Sequence, residues 1–280
     1  MRKIFSFVTV LFLILNLAGC FQVSTLVKVR PDGSGTLEET VLMRKELLGQ
    51  MKAMGEQMGD KDTKEKDKET PGMLSEEALR KKANELGEGV TYVSSKKVTT
   101  EKFEGYKAVY SFKDINKLKF NQNPSGSIPG SQSPAKEEDG KKESVVFKLT
   151  KGDTSRLVIT LPQDEPADKP EESKEKIKKD MPDDPNSEAL MAQMKELFEG
   201  MKMGLEVEVM GTVVQTNATH RDGSRVTLMD IDLGKLFEQK ENLKKFSAQK
   251  PDTIEDAKKL MKDIPGIKVE LNKEVTIEFR

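Results

Sequence analysis

The sequence predicts an α+β fold: a mostly antiparallel sheet built from hairpins, with helices packed on one face. Short runs rich in β-branched and aromatic residues come in adjacent pairs, and turn residues of the Asp-Gly type separate several of those pairs. Segments with strand periodicity also outnumber those with helical spacing, which points to one sheet partly covered by a few helices.

Taken in order, residues 21–30 and 36–43 flank Pro31-Asp32-Gly33-Ser34-Gly35 and predict an opening hairpin, since an Asp-Gly step tolerates positive φ. Leu47, Leu48, Met51, Met54 and Met58 share one helical face. Nine of the eleven residues in 60–70 are charged, and no apolar residue interrupts them, so this insert is expected to be solvated and disordered. Ser75 precedes a second helix over 76–86, stopped by Gly87 and Gly89. Two strands follow, the second with Tyr106, Ala108, Tyr110 and Phe112 alternating with Lys107, Val109, Ser111 and Lys113. The stretch 121–144 reads as a long disordered loop, and 145–150 with 156–161 as a hairpin around Lys151-Gly152-Asp153.

The segment 163–186 holds Pro166, Pro170, Pro182 and Pro185 amid dense charge and reads as a linker or long loop. It separates the N-terminal part of the α+β body, 20–162, from the C-terminal part, 187–280. Ser187 is placed to cap a helix bearing Leu190, Met191, Met194, Leu197, Phe198 and Met201 on one face. Alternating residues 205–209, a turn at Arg221-Asp222-Gly223-Ser224 and a return over 225–233 predict another hairpin. Thr253-Ile254-Glu255-Asp256 starts a short helix with a capping box. Strand patterns at 267–271 and 275–279 close the chain.

Composition excludes several functions. The 280 residues hold 47 Lys+Arg and 48 Asp+Glu, a net charge of −1, which is not the footprint of a nucleic-acid binder. With one His, one Cys and no Trp, the chain has neither a disulfide nor a His/Cys metal cage. No Gly-rich phosphate loop leads from a strand into a helix, and among so many acids no carboxylate pair stands out as a hydrolase site. The expectation is a protein that is not an enzyme and carries no cofactor or metal.

The N-terminus is the most specific feature. Arg2 and Lys3 precede an apolar run from Ile4 to Leu17 that is broken only by Ser6, Thr9 and Asn16, and then come Leu17, Ala18, Gly19 and Cys20. A spanning helix needs about 20 apolar residues, so this shorter run is the h-region of a signal peptide over 1–19. Leu17-Ala18-Gly19-Cys20 resembles a bacterial lipobox, in which the sulfur takes a diacylglycerol before cleavage leaves Cys20 as the first residue. A buried structural cysteine, or an ordinary secretory cleavage after Ala18 or Gly19, is the alternative. Two or three acyl chains, palmitate among them, anchor stably where one chain holds only marginally. Removing 1–19 takes away Arg2 and Lys3 and no acid, which leaves a charge of −3, so anionic headgroups are not the tether. Phe21, not aspartate, follows the cysteine, which favours an outer membrane and a periplasm-facing site if the source has two membranes.

Three passages resemble the LppM-like bacterial lipoprotein family. They are Val27-Lys28-Val29-Arg30-Pro31-Asp32-Gly33-Ser34-Gly35-Thr36; Gly105-Tyr106-Lys107-Ala108 with Phe112-Lys113-Asp114-Ile115; and Gly211-Thr212-Val213-Val214-Gln215-Thr216-Asn217-Ala218 ahead of Asp222-Gly223. The resemblance implies an α+β domain outside the membrane, no established enzymatic activity, and an interaction role in the cell envelope. The chain departs from the family pattern at Thr227-Leu228-Met229, where a tryptophan is usual, and lacks the C-terminal membrane helix of some relatives.

The other candidates are weaker. His220, beside a turn, has no second histidine for company and reads as a turn residue. Asp230 and Asp232 share one side of a strand and could offer oxygen ligands to calcium, which needs six or more. The methionines Met51, Met54 and Met58, or Met191, Met194 and Met201, read as adaptable core or partner groove, and alternatively as thioether ligands for Cu(I). The Asn217-Ala218-Thr219 sequon carries no weight in most bacteria. The expected role is therefore a lipid-anchored, non-catalytic binding module for an envelope protein or lipid component. The alternatives are a carrier with an apolar pocket between sheet and helices, or methionine-based copper handling.

Overall fold

The computed structural model describes residues 21–49, 75–121, 144–162, 198–238 and 264–280. The first hairpin forms as its sequence dictates. Strands β1 (Phe21–Val29) and β2 (Gly35–Arg44) pair antiparallel in unbroken register from Phe21↔Met43 to Val29↔Gly35. Gly33 takes the left-handed conformation, φ 84°, that the turn requires, and the Asp32 carboxylate accepts from the Ser34 amide at 2.9 Å.

The large sheet grows outward from this hairpin. On one side β2 pairs with β4 (Phe103–Phe112), and β4 with β3 (Thr91–Thr99) at the edge. On the other side β1 pairs in parallel with β8 (Lys202–Val209), which pairs antiparallel with β11 (Arg225–Asp232). Short β10 (Arg221–Asp222) and β12 (Ile267–Val269) both lie along β11. A second sheet runs in the order β5 (Phe120–Asn121), β6 (Ser144–Thr150), β7 (Ser155–Thr160), β13 (Glu274–Phe279), β9 (Val213–Thr216), with every pair antiparallel.

Alternation decides how the sheets stack. Val27, Val29, Leu37 and Val41 from the first hairpin, Ala108 and Tyr110 from β4, and Val207 and Val226 are buried on one face of the large sheet. Val145, Phe147, Leu157, Ile159, Val275, Ile277 and Phe279 are the buried face of the second, and all belong to one core cluster. Two half-apolar sheets cover each other because each apolar face must leave water.

This overturns the α+β expectation. The described molecule is mostly β, and the main cover of the large sheet is a second sheet rather than a layer of helices. Of the expected helices, α1 (Glu76–Glu85) forms as read, with the Ser75 hydroxyl accepting from the Ala78 amide at 3.2 Å, and it buries only Leu79 and Ala83. The short α2 (Leu233–Glu238) and a 3₁₀ turn over Ile115–Lys117 are the other helical elements with described bounds, besides helical residues at 45–49. The expected hairpin of 205–209 with 225–233 is a true pair of neighbours, but its connection is not a simple turn. After β8 the chain leaves to add β9 to the second sheet, then returns through the tight turn at Gly223. Periodicity reports which face of a strand is dry and not which strand lies beside it.

The insert at 60–70, the linker at 163–186, most of the loop at 121–144, the helix begun by Thr253 and nearly all of the one begun by Ser187 lie outside the described residues. Strand pairs β1–β8 and β7–β13 join residues from before and after 163–186 in both sheets.

Candidate functional site

Leu17, Ala18, Gly19 and Cys20 lie outside the described residues, but their covalent neighbour does not. Phe21 is already the first residue of β1, hydrogen-bonded in register opposite Met43, and β1 is an interior strand with β2 on one side and β8 on the other. The end of the sheet that carries Phe21 is closed by backbone hydrogen bonds: Lys45 N to Lys102 O at 3.0 Å, Leu233 N to Met201 O at 3.1 Å and Asp232 N to Gly266 O at 2.7 Å.

The outward face of the large sheet carries a trough lined mainly by polar side chains. Register places Asp230, Gly204, Ser24, Thr40 and Lys107 in one row across five strands. The next row holds Glu206, Leu26, Glu38 and Val109, and the row on the other side Lys202, Gln22, Leu42 and Gly105. Because Gly204, Ser24 and Thr40 are small, the middle row is a trough of about 300 Å³ walled by larger side chains. Glu38 accepts from Lys28 and from Lys107, the latter at 2.6 Å, and these bonds hold its carboxyl below the usual carboxylate range. Arg225 lies 2.7 Å from Glu208 and 3.5 Å from Glu206. A general acid needs a raised pKa, so Glu38 is tuned away from that role. The trough is lined by the hydroxyls of Ser24 and Thr40 and by the charged side chains of Glu38, Lys107, Glu206 and Asp230.

A second polar cluster sits on the inward face, under α1. Lys82 reaches from the helix to Glu39 on β2, with Nζ 2.6 and 2.8 Å from the two carboxylate oxygens. The Tyr106 hydroxyl donates to the same carboxylate at 3.3 Å. Burial, and then the neighbouring Glu39 charge, push the Tyr106 and Tyr110 phenols well above their ordinary range. The Tyr110 hydroxyl is buried without a hydrogen-bond partner among the described residues. This cluster fastens the helix to the sheet.

No family model matches the chain, and no curated protein matches it. Among solved structures it is similar to the folded domain of Mycobacterium tuberculosis LppM, determined by NMR. Identity is 10%, coverage is 94% of this chain and 91% of that chain, and the TM-score is 0.32. A superposition this loose establishes neither a shared fold nor a shared function.

The structure separates the remaining candidates. His220 is half-buried immediately before β10 and offers its carbonyl to the Thr227 amide at 3.0 Å. Asp230 and Asp232 do share the outward face, but they do different things. Asp230 stands exposed at the trough, whereas Asp232 pairs with Lys202 at 2.9 Å and accepts from the Lys235 amide at the start of α2. Among the described residues no group of three or more His, Cys, Asp or Glu converges on a metal position. Of the methionine stripes only Met201 is described, half-buried beside the closed end of the sheet.

Asn217 is a docking residue. Its Oδ1 accepts from the Thr276 amide at 2.7 Å and its Nδ2 donates to the Glu274 carbonyl at 2.9 Å, which locks the exit of β9 onto β13. Sequence reasoning missed Glu270, 4% exposed, whose carboxylate accepts from the Thr219 amide and hydroxyl and from the Leu271 and Asn272 amides. It also missed the Lys82–Glu39 contact. The available signal was a glutamate at an inward position of an alternating strand: in Leu37-Glu38-Glu39-Thr40-Val41, Glu39 is in phase with Leu37 and Val41.

Proposed function

We propose that the protein is a lipid-anchored bacterial envelope lipoprotein, acylated on Cys20, whose two-sheet body is a non-catalytic binding module. The observation that carries this reading is the junction at residues 20 and 21. The lipobox Leu17-Ala18-Gly19-Cys20 ends where the interior strand β1 begins, so the apolar leader stops at the edge of the folded body. Among the described residues no helix is long and apolar enough to cross a membrane.

The binding surface is the trough on the outward face. Ser24 and Thr40 supply hydroxyls, and Asp230 with Glu206 faces Lys107 across it, a lining suited to a polar or zwitterionic envelope component or protein segment. The test is a cross-linking search in the source's own envelope with the mature protein and with Gly204→Leu, which fills the trough. Capture of a partner by the first and its loss with the second supports the reading. Equal capture by both moves the binding surface elsewhere, and no partner for either removes the binding role.

The placement in an outer membrane facing the periplasm rests on Phe21 following the cysteine. Fractionation of a two-membrane source tests it, and recovery with the inner membrane overturns it.

A further inference from the structure

Among the described residues, the end of the large sheet that carries Phe21 is formed by Arg44 and Lys45, Thr100 to Lys102, Gly200 to Lys202, and Asp232 and Leu233 with Gly266 against them. The opposite end carries the turns at 30–34 and 151–154, joined by a bond from the Ser155 hydroxyl to the Pro31 carbonyl at 3.1 Å. Nine strand residues from Phe21 to Val29 separate the two ends by about 26 Å.

We infer that the Phe21 end of the sheet rests against the phospholipid headgroups, and that the 30–34 and 151–154 turns point away from the bilayer. The inference rests on acylation of Cys20. A flexible linker of ten residues would let an anchored domain wander by about 17 Å and turn freely. Here no linker residue separates the anchored position from an interior strand held by β2 and β8, so the bilayer must approach the strand's own end.

Lying flat is disfavoured by the faces. The outward face of the sheet carries Lys28, Glu38, Lys107, Glu208 and Arg225 in ion pairs, which would lose solvation against lipid. The exposed large apolar residues Val93, Val146, Met210 and Val214 fall on different strands and loops of both sheets and do not form one greasy face. At the Phe21 end, cations and acids alternate: Lys102 pairs with Glu199 at 3.0 Å and Lys202 with Asp232 at 2.9 Å. A rim of both signs is compatible with a headgroup layer and leaves the affinity to the acyl chains.

The experiment uses the full chain, processed and purified from its membrane. A fluorophore is placed at Glu101→Cys or Asp153→Cys, both exposed positions, and acylated Cys20 leaves the introduced thiol as the free one. The protein is reconstituted in vesicles of phosphatidylethanolamine and phosphatidylglycerol carrying a headgroup nitroxide quencher. Intact mass of each sample reports acylation separately. With acylation present, quenching at 101 is expected to exceed that at 153 roughly fivefold, given the strand-length separation. Acylated protein quenched equally at both positions, or more at 153, overturns the orientation and leaves the anchor standing. Protein without acyl mass overturns the anchor and the orientation with it.

Discussion

Lys82 and Glu39 form a two-oxygen ion pair across the seam between α1 and the large sheet, with the Glu39 side chain 4% exposed and the Lys82 side chain 21% exposed. A carboxylate this deep in a sheet whose same-face neighbours are Leu37 and Val41 is tolerable only while its partner is present. Lys82→Met should therefore destabilise the protein by about 3–5 kcal/mol, the usual loss when one member of a buried pair is left alone. Adding Glu39→Gln should recover part of that loss, and urea unfolding of the two single variants and the double variant measures the coupling.

The two buried tyrosines should respond differently to losing their hydroxyls. Tyr106→Phe removes a donor from the Glu39 carboxylate and should cost about 1–2 kcal/mol. Tyr110→Phe removes a hydroxyl with no partner among the described residues and should leave stability unchanged or raised. Urea midpoints for both variants provide the comparison, and an equal loss for both would contradict the described packing.

Stability should fall at both ends of the pH scale for separate reasons. Glu38 is held below its ordinary 4.5 by Lys107 and Lys28, so its contribution is complete at neutral pH, fades as pH drops through about 4.5, and is gone below its folded value. Tyr106 and Tyr110 are raised above the ordinary 10.0, so the folded state holds their protons longer; their contribution is complete below about 10 and is lost as pH rises beyond it. Tyrosinate absorbance should show these two rings ionising together with alkaline unfolding. Lys107→Gln should flatten the acid limb.

Gly105 is irreplaceable for a steric reason. A Cβ there would stand 1.9 Å from the Val41 carbonyl oxygen of the adjoining strand. Gly105→Ala should cost about 1–3 kcal/mol or more through forced separation of β2 and β4, read as a lowered thermal midpoint.

Much of the strand content was legible because alternation and turn chemistry are local. The β1–β2 hairpin, its Gly33 turn, the Ser75 cap and the β6–β7 pair all follow from residues close in sequence. The stacking of two sheets was not legible, because β9 pairs with β13 some sixty residues later and β1 pairs in parallel with β8 from the far side of the linker. The trough was hidden for the same reason. Gly204, Ser24 and Thr40 are unremarkable small residues until register sets them side by side. The lipobox reading of Leu17-Ala18-Gly19-Cys20 needs no tertiary contact, since it rests on contiguous residues, and those residues lie outside the described ones.

The most direct test of the account is the mass and sequence of the N-terminal peptide of protein extracted from its native membrane. The peptide is expected to begin at Cys20 and to carry the mass of two or three acyl chains, with Cys20→Ala abolishing both the acylation and the membrane recovery. A mature chain that begins at another residue, or a Cys20 bearing a free thiol, would contradict it.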